Sequence, residues 1–284
     1  SPSTAWQSIM PKIIETKNLS VKSGQRYLIH NINWQIKKGE HWVIFGLNGS
    51  GKTTLLSIIA GFNGFTSGEC RVFGKEHDED NIFTQRQKIG WVSSSFFDKY
   101  LSWESAFDIV LSGVSGTLSR DFSVENADIK RAMELLEALK LKDKMYQPFC
   151  LMSKGERKCV LIARALISNP EILILDEPAT GLDVYAREYI LQTVENLAKN
   201  TEMTIIYVTH YIEEILPEFD KAILLKGGRI YKTGQTAELF TSAEISTFLE
   251  HEAEITRYGD KYAIDLTLDE SLPIGTTKGG VVNE

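Results

Sequence analysis

The sequence predicts an α/β fold: a mostly parallel sheet core with an antiparallel β edge and an inserted α-helical subdomain. Three observations carry that prediction. The runs His41–Phe45, Ile172–Leu175 and Met203–Val208 are apolar without alternation, as strands buried on both faces are. Segments of helical period lie between them, and strands alternating with helices specify a parallel sheet covered on both faces. Ahead of them, Lys12–Leu19 and Asn31–Ile36 alternate apolar and polar residues, the pattern of antiparallel strands near a sheet edge.

The elements follow in order. Ser23-Gly24-Gln25 turns between the first two strands, and Lys38-Gly39-Glu40 turns into His41–Phe45. After Gly51 the period changes, and Leu55, Leu56, Ile58, Ile59 and Ala60 fit a helix that Gly61 stops. Lys75–Arg86 is polar and acidic and reads as a solvated loop; Lys88–Val92 reads as a strand. From Trp103 to Tyr146 the spacing is helical, most clearly in Ile129–Leu141, where Ala132, Leu135, Leu136 and Leu139 share a face. Further helices are expected over Gly155–Ile167 and Tyr185–Lys199. The mostly helical block Gln85–Ile167 is too long for an ordinary crossover, which makes it an inserted subdomain, about 93–167.

Lys221–Leu225 and Arg229–Thr233 flank Gly227-Gly228 as a hairpin. One helix is expected over Ala237–Glu250, then a small hairpin of Ile255–Tyr258 and Tyr262–Leu268 around Gly259-Asp260. The Gly/Thr-rich tail from Pro273 reads as disordered. The expected domains are a disordered extension at 1–11, a main domain at 12–240 and a small C-terminal extension at 241–284.

Composition narrows the class. Of 284 residues, 43% are hydrophobic and 24% charged, which excludes collagen-like, wholly disordered and disulfide-scaffold chains. No stretch reaches the roughly 18–20 apolar residues that cross a bilayer, and the first twenty residues lack a secretory apolar core. Cys70, Cys150 and Cys159 have no paired short spacing, so neither a disulfide framework nor a zinc site is favoured. That usage suits a reducing compartment, and a soluble cytoplasmic chain is expected. The net charge of −7 argues against a surface that wraps nucleic acid.

The chemistry is concentrated in Gly46-Leu47-Asn48-Gly49-Ser50-Gly51-Lys52-Thr53, followed by Thr54. Glycines let the backbone turn its N–H groups toward a phosphate, and the next helix adds its positive end. In such a loop Lys52 reaches the β/γ-phosphates and the Thr53 hydroxyl ligates Mg²⁺. The loop follows a buried strand and opens a helix, the context that the pattern requires. A second signal is the apolar strand ending in Asp176-Glu177, which places Asp176 near the metal and Glu177 near an attacking water.

From Ile13 to about Glu238 the sequence resembles the ATP-binding-cassette (ABC) ATPase family, a phosphate-loop NTPase fold of its own type. The resemblance rests on the phosphate loop and on Met152-Ser153-Lys154-Gly155-Glu156, similar to the family signature and just over twenty residues before Asp176. It also rests on Thr180-Gly181-Leu182-Asp183, which resembles the D-loop, and on His210 at the end of a strand, which resembles the switch histidine. Two positions depart. Ser94 stands where the family has a metal-binding glutamine, and Ser23 stands where it has an adenine-stacking aromatic. Tyr27 is the candidate replacement for the stacking ring, with packing in the strand core as its alternative role.

The resemblance implies a Mg²⁺-dependent ATPase working as a head-to-tail homodimer or with a paired cassette. Gly46, Asn48, Gly49, Ser50, Gly51, Lys52, Thr53 and Thr54 would bind one face of ATP, and Ser153, Gly155 and Asp183 of the partner the other. Glu177, His210 and Lys52 would be catalytic; Thr53, Asp176 and Ser94 would hold the metal. A separate membrane-spanning permease, reached from the cytoplasmic face, is the implied partner. Phe96, Phe97, Tyr100, Leu101, Trp103 and Phe107 are either its docking surface or the subdomain core. The alternative is a soluble ABC ATPase acting on nucleic acid, ribosomes or repair complexes.

Overall fold

Strand period and burial divide the molecule into layers. The computed structural model describes residues 10–78, 80–93, 103–115 and 124–267. The central sheet uses β3 (His41–Phe45), β6 (Ile89–Ser93), β7 (Ile172–Asp176), β8 (Thr204–Thr209), β9 (Lys221–Lys226) and β10 (Arg229–Gln235). Their order is β10-β9-β3-β8-β7-β6. Every neighbouring pair is parallel except β9 with β10. The apolar runs are the middle of this sheet, and they lack alternation because both faces are covered.

Alternate residues of each run enter different cores. Trp42, Ile44, Ile172, Ile174, Ile206 and Val208 face one cluster. That cluster includes Leu55, Leu56, Ile58 and Ile59 of α1 (Lys52–Ile59) and the inner face of a second sheet. The second sheet is antiparallel, ordered β2-β1-β4-β5 from β1 (Lys12–Ser23), β2 (Arg26–Lys37), β4 (Ser67–Val72) and β5 (Lys75–Glu76). Val43, Phe45, Leu173, Leu175, Ile205 and Tyr207 face the other cluster. There the helices gather: α3 (Ala106–Ser112), α4 (Asn126–Ala138), α5 (Lys154–Leu166) and α6 (Val184–Asn200). Leu55 and Leu56 are fully buried, and truncating either to alanine costs about 2–5 kcal/mol.

Two expectations fail in instructive ways. Lys75–Arg86 is not a loop: β5 pairs with β4, and α2 (Ile82–Gln87) follows. Its polar residues are used inward. Gln85 is buried and donates to the Val72 carbonyl, while the His77 ring bonds both Gln85 and the Ile59 carbonyl. Ala237–Glu250 is not one helix but two, α7 (Thr236–Leu239) and α8 (Ser242–Leu249). The break at Phe240 turns its ring edge-on to Phe45 at 5.5 Å, and Thr241 caps α8. A final hairpin joins β11 (Ala253–Tyr258) to β12 (Lys261–Leu266) in regular antiparallel register. Its Ala253 and Tyr262 are buried in the second core.

Candidate nucleotide site

Parallel neighbours bring their C-terminal ends to one edge, and ligands of such sheets bind there. The ends of β3, β6, β7 and β8 therefore gather the phosphate loop, Ser93, Asp176-Glu177 and Thr209-His210. The loop, Ser93 and Asp176-Glu177 line a cleft of about 560 Å³.

Close backbone approaches shape the loop. A Cβ on Gly46 would lie 2.5 Å from both the Leu225 carbonyl and the Ser50 hydroxyl. Gly51 has φ +100, and a Cβ there would lie 2.8 Å from the Leu28 carbonyl, so only glycine fits. Lys52 is buried and donates to the carbonyls of Gly46 (2.6 Å) and Leu47 (3.1 Å), with Glu177 Oε1 at 3.4 Å. Its cation is held inside the loop by these carbonyls. The Ser50 hydroxyl is buried with no hydrogen-bond partner among the described residues.

Thr53 Oγ1 donates to Asp176 Oδ2 at 3.1 Å. Burial pushes the Asp176 carboxyl above the usual aspartate range, against the opposing pull of the Thr53 bond. Glu177 is a non-glycine residue at φ +49, a left-handed conformation that is held by the surrounding structure. Its amide donates to the Val208 carbonyl (3.0 Å), and its Oε1 lies 3.0 Å from His210 Nδ1. Glu177 thus faces Lys52 on one side and His210 on the other.

The cleft is lined by Asn48, Gly49, Ser50, Gly51, Lys52, Thr53, Thr54, Asp176, Glu177 and Tyr27 among the expected residues. Tyr27 stands at its rim, 41% exposed, with its ring 4.1 Å from His30, so it is not strand core. Gly46 lies behind the loop, and His210 reaches the site through Glu177. Ser94 lies outside the described residues. Sequence reasoning missed Arg26, Ser93, Gly227 and Gly228, which also line the cleft. Ser93 ends β6 opposite Asp176, and Gly228 donates to the Ser50 carbonyl at 2.9 Å. The Gly227-Gly228 turn was the available signal, read only as a hairpin.

Ser153, Gly155 and Asp183 are elsewhere. They line a second cleft of about 300 Å³ with Tyr185, Ala186 and Tyr189. Ser153 and Asp183 are the N-caps of α5 and α6, accepting from the amides of Glu156 (3.2 Å) and Ala186 (2.8 Å). A Cβ on Gly155 would lie 2.9 Å from Ala186 Cβ, so glycine there lets the two helix starts meet. Of the apolar residues expected at a docking surface or core, Trp103 is 79% exposed and Phe107 packs on the core. Phe96, Phe97, Tyr100 and Leu101 lie outside the described residues.

The first cleft suits the phosphates of a nucleotide in charge: a glycine loop, a buried lysine and a helix start. Fold and site together define the class of phosphate-loop nucleotide-binding proteins. The comparisons narrow this. The ABC transporter family model matches residues 29–180. An uncharacterized ABC transporter ATP-binding protein of Bacillus subtilis is 40% identical over 84% of this chain and 91% of its own. A dimeric ATP-binding cassette in a post-hydrolysis state, bound to ADP and Pi, superposes with a TM-score of 0.69 at 29% identity. It covers 78% of this chain and 98% of its own. A cassette from Clostridium perfringens, part of the ABC transporter complex cbiONQ, has a TM-score of 0.70 and 28% identity. It covers 84% of this chain and 94% of its own. The chain belongs to the ABC transporter family, as one of its ATP-binding and ATP-hydrolysing cassettes. These relatives favour the transport reading over a soluble ATPase acting on nucleic acid. Among the described residues no helix is long and apolar enough to cross a membrane.

Proposed function

We propose that this chain pairs head-to-tail with a second cassette, closes over two ATP molecules and drives a separate membrane-spanning permease from its cytoplasmic face. One observation carries the pairing. Ser153, Gly155 and Asp183 line a different cleft from the phosphate loop, so within one chain the two half-sites are separate. The dimeric ADP- and Pi-bound relative and the cassette of a transporter complex support the same assembly. Trp103, Tyr146 and Leu151, 79%, 70% and 64% exposed, supply apolar surface for a permease to cover.

Roles follow from position. The loop amides and Lys52 receive the phosphates, with Lys52 exchanging its carbonyl partners for phosphate oxygens. Tyr27 offers its ring to adenine. The Thr53 hydroxyl and Asp176 carboxylate form a hard-oxygen pair of the kind Mg²⁺ prefers, and a cation beside Asp176 offsets the cost of burying that charge. Ser94 is the third proposed ligand. When bound there, Mg²⁺ would supply charge neutralisation for the phosphates. Glu177 accepts a proton from the attacking water, and His210, fixed on Glu177, faces the γ-phosphate. Ser153 and Gly155 of the partner close the opposite side, with its Asp183 across the interface. Catalysis by these residues is positioning and charge stabilisation.

Glu177→Gln tests this reading. The variant should bind ATP, lose turnover by about 10²–10⁴-fold and accumulate as a closed dimer in size-exclusion chromatography with light scattering. Near wild-type turnover would remove Glu177 from its role. The permease is tested by extracting the tagged chain from native membranes in mild detergent. A stoichiometric multi-span protein should co-purify; a wholly soluble fraction carrying RNA or ribosomal proteins would replace transport with the alternative.

A further inference from the structure

Behind His210 lies a buried carboxylate that the mechanism above does not use. Glu214 is 1% exposed, in the 3₁₀ turn Ile212–Glu214 that follows β8. Two hydroxyls donate to its Oε2, Thr209 at 2.6 Å and Tyr207 at 3.0 Å. Its Oε1 faces Arg187 Nε at 3.7 Å. Thr209 Oγ1 in turn accepts from the Tyr211 amide at 2.9 Å. The residues before and after His210 are therefore tied to one hydroxyl, and that hydroxyl is anchored on Glu214.

Two further elements meet at this point. Arg187 belongs to α6, the helix capped by Asp183, and its guanidinium lies over the Tyr211 ring at 5.6 Å. The Tyr211 ring packs on His210 with centroids 4.2 Å apart. On another side, β12 packs against the Ile212–Glu214 turn, and its Lys261 bonds Glu188, also on α6, at 2.6 Å. A buried carboxylate is costly, and an apolar cluster replacing it together with its partners would fill the space with less penalty. What such a cluster lacks is the carboxylate's hold on two hydroxyls of the strand that delivers His210.

We infer that Glu214 is a positioning residue for ATP hydrolysis, setting where His210 stands against Glu177 and tying that placement to the helix that starts at Asp183. The inference rests on the reading of His210 given above. Burial raises the Glu214 carboxyl, while the two hydroxyls, Arg187 and His210 pull the other way, which is the balance of a carboxylate held for its acceptor geometry.

The test uses the full chain, with ATP affinity measured by a fluorescent analogue and kcat measured separately. Thr209→Val keeps shape and removes the linking hydroxyl; Glu214→Ala removes the anchor. Each should lower kcat by about tenfold or more, the size of a lost hydrogen bond to a charged group, with ATP affinity within about twofold of wild type. Glu214→Gln keeps an acceptor for both hydroxyls and should recover most of the rate. Wild-type kcat in folded Thr209→Val, or affinity falling in step with kcat, would overturn the inference. If Glu214→Ala does not fold, Thr209→Val decides. His210→Ala separates the two levels: wild-type turnover there overturns the switch reading itself. Lost turnover there beside an unaffected Thr209→Val overturns only the positioning role.

Discussion

The phosphate loop and the Ser153–Asp183 face are both built on helix starts, and they treat those starts in opposite ways. At α1 the cap is Gly51, with no side-chain cap bond and no acidic residue in the first turn. At α5 and α6 the caps are Ser153 and Asp183, whose oxygens are already taken by their own helices, and α5 has Glu156 in its first turn. An uncapped helix start with a buried lysine beside it is prepared for an anion. A capped one is stable alone and contributes to a site only when another surface brings the ligand. On the proposed reading the chain carries one finished half-site and one complementary half.

That contrast predicts a ranking of effects. Lys52→Ala removes the cation of the finished half and should weaken ATP binding by roughly 10–100-fold, the scale of charge-assisted bonds, in equilibrium titration. Unchanged affinity would place the phosphates elsewhere. Gly155→Val strikes the other half, where even a Cβ meets Ala186 at 2.9 Å. ATP binding to the monomer should persist while ATP-dependent dimerisation and turnover fall by about tenfold, with an overpacking cost of about 1–3 kcal/mol in melting. A variant that loses monomer binding equally would erase the distinction between the halves. Tyr27→Ala should weaken ATP by about fivefold, near 1 kcal/mol of ring stacking, with Tyr27→Phe close to wild type; equal losses would exclude stacking.

The smallest effect is on stability. Burial raises Asp176 above its unfolded value, so the ionised form is the penalised one. The penalty is full at neutral pH and fades as pH falls toward 3.8, the value for an unperturbed aspartate. Asp176→Asn should therefore raise the melting temperature of the nucleotide-free protein by about 2–4 °C at pH 7, on a scale of about 1 kcal/mol. The gain should shrink in acid. A lower melting temperature at pH 7 would show that attraction to Lys52 and Lys158 outweighs burial.

Legibility in the sequence followed locality. The phosphate loop, Asp176-Glu177 and the buried strands were readable because each is a contiguous run whose pattern reports its own surroundings. Arg26, Ser93 and Gly228 were not, because they enter the cleft from β2 of one sheet, β6 of the other and the β9–β10 turn, which only the packing of the two sheets brings together. Glu214 was hidden differently: nothing in the local sequence separates it from Glu213, yet Glu214 points inward to hydroxyls of the preceding strand. Phe240 broke the expected Ala237–Glu250 helix because tertiary packing on Phe45 outweighs helix period over a few residues.

The Gly227-Gly228 turn has a mechanical meaning. Gly228 donates to the Ser50 carbonyl and accepts from the His30 amide at 2.7 Å, and a Cβ on it would lie 2.5 Å from the Leu28 carbonyl. At this one point the β9–β10 hairpin, the phosphate loop and the antiparallel sheet are welded. Two backbone hydrogen bonds and one approach too close for a side chain thus hold three separate stretches of chain in a single frame at the rim of the cleft.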